Sequence, residues 1–216
     1  MMKTSIYPRI IPLFPLPNVV FFPKTYLPLH IFEPRYREMV EDTEKKGKII
    51  GMVLLKDGWE NTYYDKPEIC SEGCAGELVT VERLEDRRFN IILKGLFRFS
   101  VKDQFFDKNY RQALVEPFAQ DKTGGNLPLK LKEDLLALLK NLANRTKGYE
   151  QFLSLLKTGV DDETLIHMLC YSLQFSNLEK QFLLESENLP QQAKRLMELI
   201  RFQTLEIKPS STSEPG

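Results

Sequence analysis

The sequence has few of the residues that build disulfide frameworks, metal centres or catalytic dyads. Its 216 residues include only three cysteines, two histidines and one tryptophan. So small and odd a number of cysteines disfavours a disulfide framework and fits a reducing compartment, and we therefore expect a cytoplasmic protein. Cys70 and Cys74 lie close in sequence, but no CxxC pair or histidine cluster supplies the other ligands of a zinc site. We expect no metal and no other cofactor.

An excess of one charge and a long apolar run are also missing. The chain carries 30 lysines and arginines against 30 aspartates and glutamates. A balanced chain gives no global electrostatic reason to expect nucleic acid or an anionic membrane as a partner. No apolar run is long enough to span a bilayer, and Arg9 and the early prolines interrupt any signal-peptide core. We expect neither a nucleic-acid nor a membrane partner.

The common catalytic motifs are absent as well. The sequence has no GxxxxGK phosphate loop, no GxSxG nucleophile elbow and no HExxH zinc helix. His30 lies in an apolar run and His167 lies between Ile166 and Met168, and neither is accompanied by a nucleophile motif. Such histidines are more often structural than catalytic. We expect a protein that is not an enzyme, and a hydrolase is the alternative that these absences disfavour.

The most distinctive stretch runs from Ile11 to Tyr36 and contains six prolines. Proline lacks an N–H group and fixes φ, so no helix can run from Pro12 to Pro28. We expect short extended pieces that form edge strands or strand ends, with β-prone runs at 19–22 and 27–32. Pro34 then suits the first turn of a helix, where its missing N–H costs nothing.

Alternating apolar residues after this helix predict further strands. The strands are expected at residues 48–55, 76–83, 88–93, 97–101 and 110–116. Gly95 interrupts the alternation and suggests a bulge or a sharp bend. The segment 56–73 is long for a loop in a compact domain, and such loops are often functional. Many short strands with one early helix predict a strongly bent antiparallel sheet or an open barrel.

Helical periodicity replaces this alternation after a polar, glycine-bearing link near residue 120. Two of the later helices have N-terminal capping signals, which are Asp161 and the Ser176–Glu179 capping box. Short connections between the helices favour an up-and-down bundle packed against the β-rich part.

These patterns predict an α+β fold with three parts. The parts are a β-rich subdomain at 1–119, a helical bundle at 120–207 and a tail at 208–216. The tail, KPSSTSEPG, is polar and rich in serine and proline, so it is expected to be disordered.

Several spaced motifs resemble the N-terminal, substrate-binding domain of the Lon protease family. The likeness begins with PLFPLPNVVFFP and LPLHIFEPRYREMV. It continues at Ile50–Met52, Gly73–Gly76, Arg88–Phe99 and Leu178–Glu185, and covers about residues 9 to 205. One departure is Lys24, where the family pattern has glycine. If that position needs a positive φ, the lysine strains the turn.

The resemblance implies a PUA-like β-rich subdomain and a role in binding polypeptide or acting as an adaptor, without catalysis. It does not extend to the ATPase and peptidase domains of Lon, so we interpret the chain as a stand-alone member. The implied partners are unfolded or apolar polypeptide segments, and a protease or another protein. A small-molecule sensor, or an interaction module unrelated to proteolysis, is the alternative that remains open.

Five residues are candidates for the polypeptide-binding surface. Phe22, Tyr26 and Trp59 would line an apolar groove, and Glu33 and Arg35 would form its polar rim. The competing interpretation places most of the aromatic residues in the core. It also makes Glu33 a favourable charge at a helix start, paired locally with an arginine.

Overall fold

The fold is α+β, as predicted, in a computed structural model that describes residues 7–118, 125–145 and 159–206. The strands in these ranges are β1 (Ile10–Leu16), β2 (Tyr26–Ile31), β3 (Ile49–Leu55), β4 (Ile69–Arg83), β5 (Phe89–Phe105) and β6 (Gln112–Pro117). The helices are α1 (Pro34–Lys45), α2 (Leu129–Arg145), α3 (Asp162–Ser172), α4 (Asn177–Leu184) and α5 (Leu189–Glu206), with a short 3₁₀-helix at Trp59–Asn61. Because β4 begins at Ile69, the predicted long loop is shorter than expected. No helix in the described ranges combines the length and apolarity needed to cross a bilayer.

Contacts along the chain divide it into two compact units. The first contains residues 1–120 and 167–185, and the second contains 121–166 and 186–216. The sheet, α1, α4 and most of α3 belong to the first unit, whereas α2 and α5 pack together in the second. This division by contacts is not a test of separately folding domains, so the predicted subdomain boundaries stay a prediction. The predicted tail lies outside the described residues.

The six strands form one mixed sheet in the order β2-β5-β4-β3-β1-β6, and β5 also pairs with β6. The prediction of an antiparallel sheet is wrong for one pair, because β1 runs parallel to β3, with Leu13 opposite Gly51. Parallel neighbours require a long crossover connection. Here β2 and α1 provide it, since both lie between β1 and β3 in the chain.

The proline-rich pieces were predicted to form edge strands or strand ends, and β2, which contains Pro28, is the first strand of the sheet order. Strand β1 contradicts the prediction of an edge strand. It lies between β3 and β6, but each half of it pairs on one side only. Pro12 pairs with Gln112 of β6, whereas Pro15 pairs with Val53 of β3. Each proline therefore has a strand neighbour on one side only, and no ladder hydrogen bond is required on the other side. Because the two halves of β1 pair on opposite sides, an interior strand can tolerate both prolines.

The run 19–22, predicted as β-prone, forms no strand, yet Val20, Phe21 and Phe22 are buried. Gly95 of β5 holds this segment in place. Its N–H donates to the Thr25 carbonyl at 2.9 Å, and its own carbonyl accepts from the Lys24 N–H at 2.8 Å. The register of β4 and β5 shifts beside Gly95, which confirms the predicted bulge.

Lys24 has a φ of 62°, which confirms that the turn needs a left-handed residue at this position. Replacing Lys24 with glycine should raise the free energy of unfolding by up to ~1 kcal/mol, because glycine has no Cβ to clash in this conformation. Lys94 is exposed in β5 without a positive φ, so Lys94→Gly should instead lower it by ~0.5–1 kcal/mol. Urea unfolding measures both, and a loss of stability in Lys24→Gly would contradict the strain.

Candidate functional site

Phe22, the first of the predicted surface residues, lies in the core. Its side chain has 0% exposure, and its ring lies 6.3 Å from that of His167. The Phe22 carbonyl accepts a 2.7 Å hydrogen bond from the hydroxyl of buried Thr25. The placement of Phe22 on the surface is therefore wrong, and its ring is not accessible from solvent in this structure.

Tyr26 lies on strand β2, which in the described part of the chain pairs only with β5. Leu27 and Ile31 are buried and half-buried Leu29 lies on the same face, whereas the alternate positions, including Tyr26 and His30, are exposed. Tyr26 is 56% exposed and Phe32, just past the strand, is 61% exposed. The two aromatic side chains are therefore displayed at the end of the sheet. Sequence reasoning did not select Phe32, although it has the same strand parity as Tyr26.

Between these aromatic residues, β2 carries a hydrogen-bonded histidine. The Nδ1 atom of His30 lies 2.8 Å from the Oδ1 atom of Asn90, on the neighbouring strand. Its Nε2 atom lies 3.2 Å from a terminal nitrogen of Arg88, and its ring stacks on that of Phe32 at 6.2 Å. These contacts orient the outward face of β2.

Trp59 is partly buried rather than displayed. It lies in the 3₁₀-helix and packs against the core cluster that contains Phe99. Its ring meets that of Tyr63 edge-on at 5.5 Å, and Tyr63 in turn meets Tyr64 at 5.2 Å. Only Tyr64, which is 85% exposed, presents most of its ring to solvent. Trp59 therefore packs between the core cluster and Tyr63, and only part of its ring is available to a surface groove.

Glu33 and Arg35 form one network with Tyr63. The Tyr63 hydroxyl donates to Glu33 Oε1 at 2.7 Å, and Arg35 Nε donates to Glu33 Oε2 at 3.1 Å. The Arg35 guanidinium also lies over the rings of Tyr36 and Tyr63, at 4.6 and 4.9 Å. Burial, followed by the hydrogen bond to Glu33, raises the pKa of the Tyr63 phenol.

Glu33 is also the N-cap residue of α1, with Pro34 at the start of the helix. The local pairing expected under the competing interpretation is therefore present.

A pocket of about 160 Å³ lies beside this network in the first unit. Its lining residues are Pro15, Arg35, Tyr36, Leu55, Tyr63, Asp65, Lys66, Pro67, Phe106, Lys108, Asn109, Tyr110 and Arg111. Asp42, behind this lining, forms an ion pair with Lys108 and accepts a 2.8 Å hydrogen bond from the Tyr110 hydroxyl. That carboxylate and burial raise the pKa of Tyr110 to about 12, with burial the larger cause. Sequence reasoning missed this pocket, because its walls come from segments distant in the chain.

No cluster of three or more histidine, cysteine, aspartate or glutamate side chains is placed to hold a metal ion in the described ranges.

Known proteins are similar to this chain in sequence and in fold. The chain is 30% identical over 149 residues to Lon protease 2 of Sorangium cellulosum, covering 64% of this chain and 18% of that protein. It is 26% identical over 219 residues to the Lon protease of Cytophaga hutchinsonii, covering 96% of this chain and 26% of the relative. The chain thus spans about a quarter or less of the length of these curated relatives.

A solved structure, the N-terminal domain of Mycobacterium avium complex Lon protease, superposes with a TM-score of 0.68 at 13% identity. The match covers 89% of this chain and 98% of that domain, so it shows a shared fold. The family model of the ATP-dependent protease La (LON) substrate-binding domain matches residues 10–201. This match covers the described strands and nearly all of the described helices, and the chain belongs to the Lon substrate-binding domain family.

Proposed function

We propose that this domain binds unfolded, apolar-rich polypeptide without catalysis, through the outward face and open edge of β2. The observation that carries the proposal is the position of β2 at the end of the sheet order, where it displays Tyr26 and Phe32. Membership of a substrate-binding family supports the same function.

An end strand offers two kinds of contact to an extended chain. Its unpaired backbone N–H and C=O groups can hydrogen-bond to an added strand, and its exposed side chains can contact apolar residues of that strand. Tyr26 and Phe32 are six positions apart, so they span roughly 20 Å of extended chain. Pro28 lies between them and withholds one N–H, which limits continued strand addition. The edge thus suits short apolar segments of a client.

The affinity should be low. An unfolded client loses conformational freedom when it is ordered along β2, and this cost offsets much of the contact free energy. We expect dissociation constants in the micromolar range or weaker. Because apolar contact and backbone hydrogen bonds provide most of the binding, added salt should change the affinity little.

Fluorescence anisotropy of labelled, permanently unfolded casein tests the proposal. The double variant Tyr26→Ala, Phe32→Ala should bind about tenfold more weakly or worse, since removing one exposed aromatic contact costs on the order of 1 kcal/mol. Both residues are exposed, so the unfolding midpoint should hardly change. Phe202→Ala is the matched control, because Phe202 is 58% exposed but lies on α5. Absence of wild-type binding at hundreds of micromolar, or equal weakening by the control, would refute the proposal.

A further inference from the structure

Arg111, in the pocket described above, is a buried cation whose guanidinium forms its hydrogen bond and its cation–π contact with neutral groups. It is 8% exposed. One terminal nitrogen donates to the Pro67 carbonyl at 2.9 Å, and the guanidinium lies 5.2 Å from the Phe106 ring centre. Among the described residues, no carboxylate forms an ion pair with it. Burial lowers the pKa of Arg111, which is what an uncompensated, desolvated cation experiences.

The other cations of the pocket have carboxylates nearby. Arg35 NH2 lies 3.0 Å from Glu33 Oε2, and Lys108 is paired with Asp42. Lys66 is exposed to solvent, and its chain neighbour Asp65 also lines the pocket. The four cations of the lining face three carboxylates, which are Asp65 in the lining and Glu33 and Asp42 beside it. The pocket with these neighbours therefore has one positive charge in excess, and because Lys66 is exposed, the buried uncompensated charge is on Arg111. A buried charge without a counter-charge is expensive, and such groups are concentrated at binding sites.

A second donor in the pocket is also incompletely used. The NH2 atom of Arg35 is buried, and despite its closeness to Glu33 it completes no hydrogen bond in the described structure. Arginine has five N–H donors in a planar fork, and among the described residues the Arg111 guanidinium donates one hydrogen bond, to the Pro67 carbonyl. Two guanidinium groups thus line one pocket, and both have N–H donors that form no hydrogen bond among the described residues.

We infer that this pocket, the Arg111 pocket, binds one carboxylate group of a polypeptide client, with Arg111 as the counter-cation. The inference rests on the proposed function for the ligand being a polypeptide. A planar carboxylate matches the guanidinium fork and brings a single negative charge, which equals the excess in the pocket. A phosphate group carries nearly two charges and would leave a net negative site.

The size of the pocket agrees with this ligand. Its volume of about 160 Å³ is below the several hundred Å³ usual for sites that hold whole small molecules. A pocket of this size accepts a side chain or a chain terminus. The rings of Tyr36 and Phe106 provide apolar walls for the methylene groups that carry the carboxylate.

Two sources of the carboxylate are possible, an acidic side chain or the C-terminus of the client. Four labelled peptides of one otherwise neutral sequence separate them: internal Asp or internal Asn, each with either a free or an amidated C-terminus. Anisotropy titrations with the full chain at low salt should show at least tenfold tighter binding for a peptide with the effective carboxylate. Tighter binding of amidated Asp than of amidated Asn assigns the side chain, and tighter binding of free than of amidated Asn assigns the terminus.

Arg111→Met should abolish this preference, because it keeps the aliphatic stem and removes the charge. Its thermal unfolding midpoint should be equal to or higher than that of the wild type, since a desolvated cation is lost. Arg111→Lys keeps the charge without the fork and should retain a reduced preference, which provides a readout if the methionine variant folds poorly. Arg9→Gln, at an exposed arginine outside the pocket, should behave like the wild type.

Three results would overturn the inference. They are equal binding of all four peptides, a preference that survives Arg111→Met, and competition by inorganic phosphate that is stronger than competition by acetate. None of these results bears on casein binding by β2. Conversely, absence of casein binding by the wild type would refute the β2 proposal, whereas the four-peptide comparison would still report the preference of the Arg111 pocket. The two proposals therefore fail separately.

Discussion

Replacing Gly95 with alanine should lower the free energy of unfolding by about 3 kcal/mol or more, the upper range for forcing extra atoms into a packed site. A Cβ at this position would overlap the carbonyl oxygen of Phe22 and lie 2.9 Å from the Cα atom of Pro23. Both obstacles are backbone, so no side chain can rotate away. The backbone cannot separate either without breaking the two hydrogen bonds that join Gly95 to Lys24 and Thr25.

Urea unfolding followed by far-UV circular dichroism measures this loss. Gly58→Ala is the matched control, because Gly58 has a φ of 85° but nothing within 4 Å of an added Cβ. The control should lose only the cost of a left-handed alanine, about 1–2 kcal/mol. Equal losses in the two variants would mean that the close approach of β5 to residues 22–25 is not a constraint on the fold.

Local chemistry is the part of this fold that the sequence predicts well. Helix α1 begins at Pro34, and α4 begins with the predicted capping box, in which Ser176 and Glu179 exchange hydrogen bonds. Asp161 accepts from the Thr164 N–H at 2.9 Å, as its predicted capping role requires. Each of these signals is contained within about four residues, so no knowledge of distant contacts is needed to interpret it.

Pairing between distant segments is the part that the sequence does not predict. Strand β1 runs parallel to β3, and its first half pairs with β6 whereas its second half pairs with β3. Both features depend on which strands lie on either side of β1. The apolar pattern of a strand reports which of its faces are buried, and a strand covered on both faces, such as β3, is apolar throughout. Such a run does not by itself name the strand beside it or the direction of that strand. The expectation of an antiparallel sheet followed from the number and shortness of the strands, which do not distinguish parallel from antiparallel neighbours.

The candidate site divides in the same way. Tyr26 was identified correctly as exposed, because an alternating edge strand displays every second residue. Arg111 could not be identified, since a missing counter-charge becomes visible only when segments around residues 35, 66 and 108 meet. Lys24 was recognised as unusual only through the resemblance to a family that has glycine there, and its φ of 62° gives the physical reason.

Phe22 was predicted to contact clients, and its burial leads to the opposite expectation. Phe22→Ala should lower the free energy of unfolding by about 3 to 5 kcal/mol, the usual cost of removing a buried phenylalanine ring. The cavity should remain largely open, because the hydrogen bonds from Gly95 to the following turn hold this segment in place. A segment that cannot collapse loses both the transfer free energy of the ring and its packing contacts.

Stability and binding separate the two interpretations of Phe22 in one protein preparation. At a temperature where Phe22→Ala remains folded, its affinity for casein should equal that of the wild type, because the ring has no exposed surface. Tyr26→Ala should show the reverse, with weaker binding and an unfolding free energy within about 0.5 kcal/mol of the wild type. If Phe22→Ala instead bound casein more weakly without a loss of stability, residues 19–25 would have to open during recognition. The client would then contact the core residues that precede the Lys24 turn, and not the edge of β2. That turn lies between Phe22 and the start of β2 in the chain.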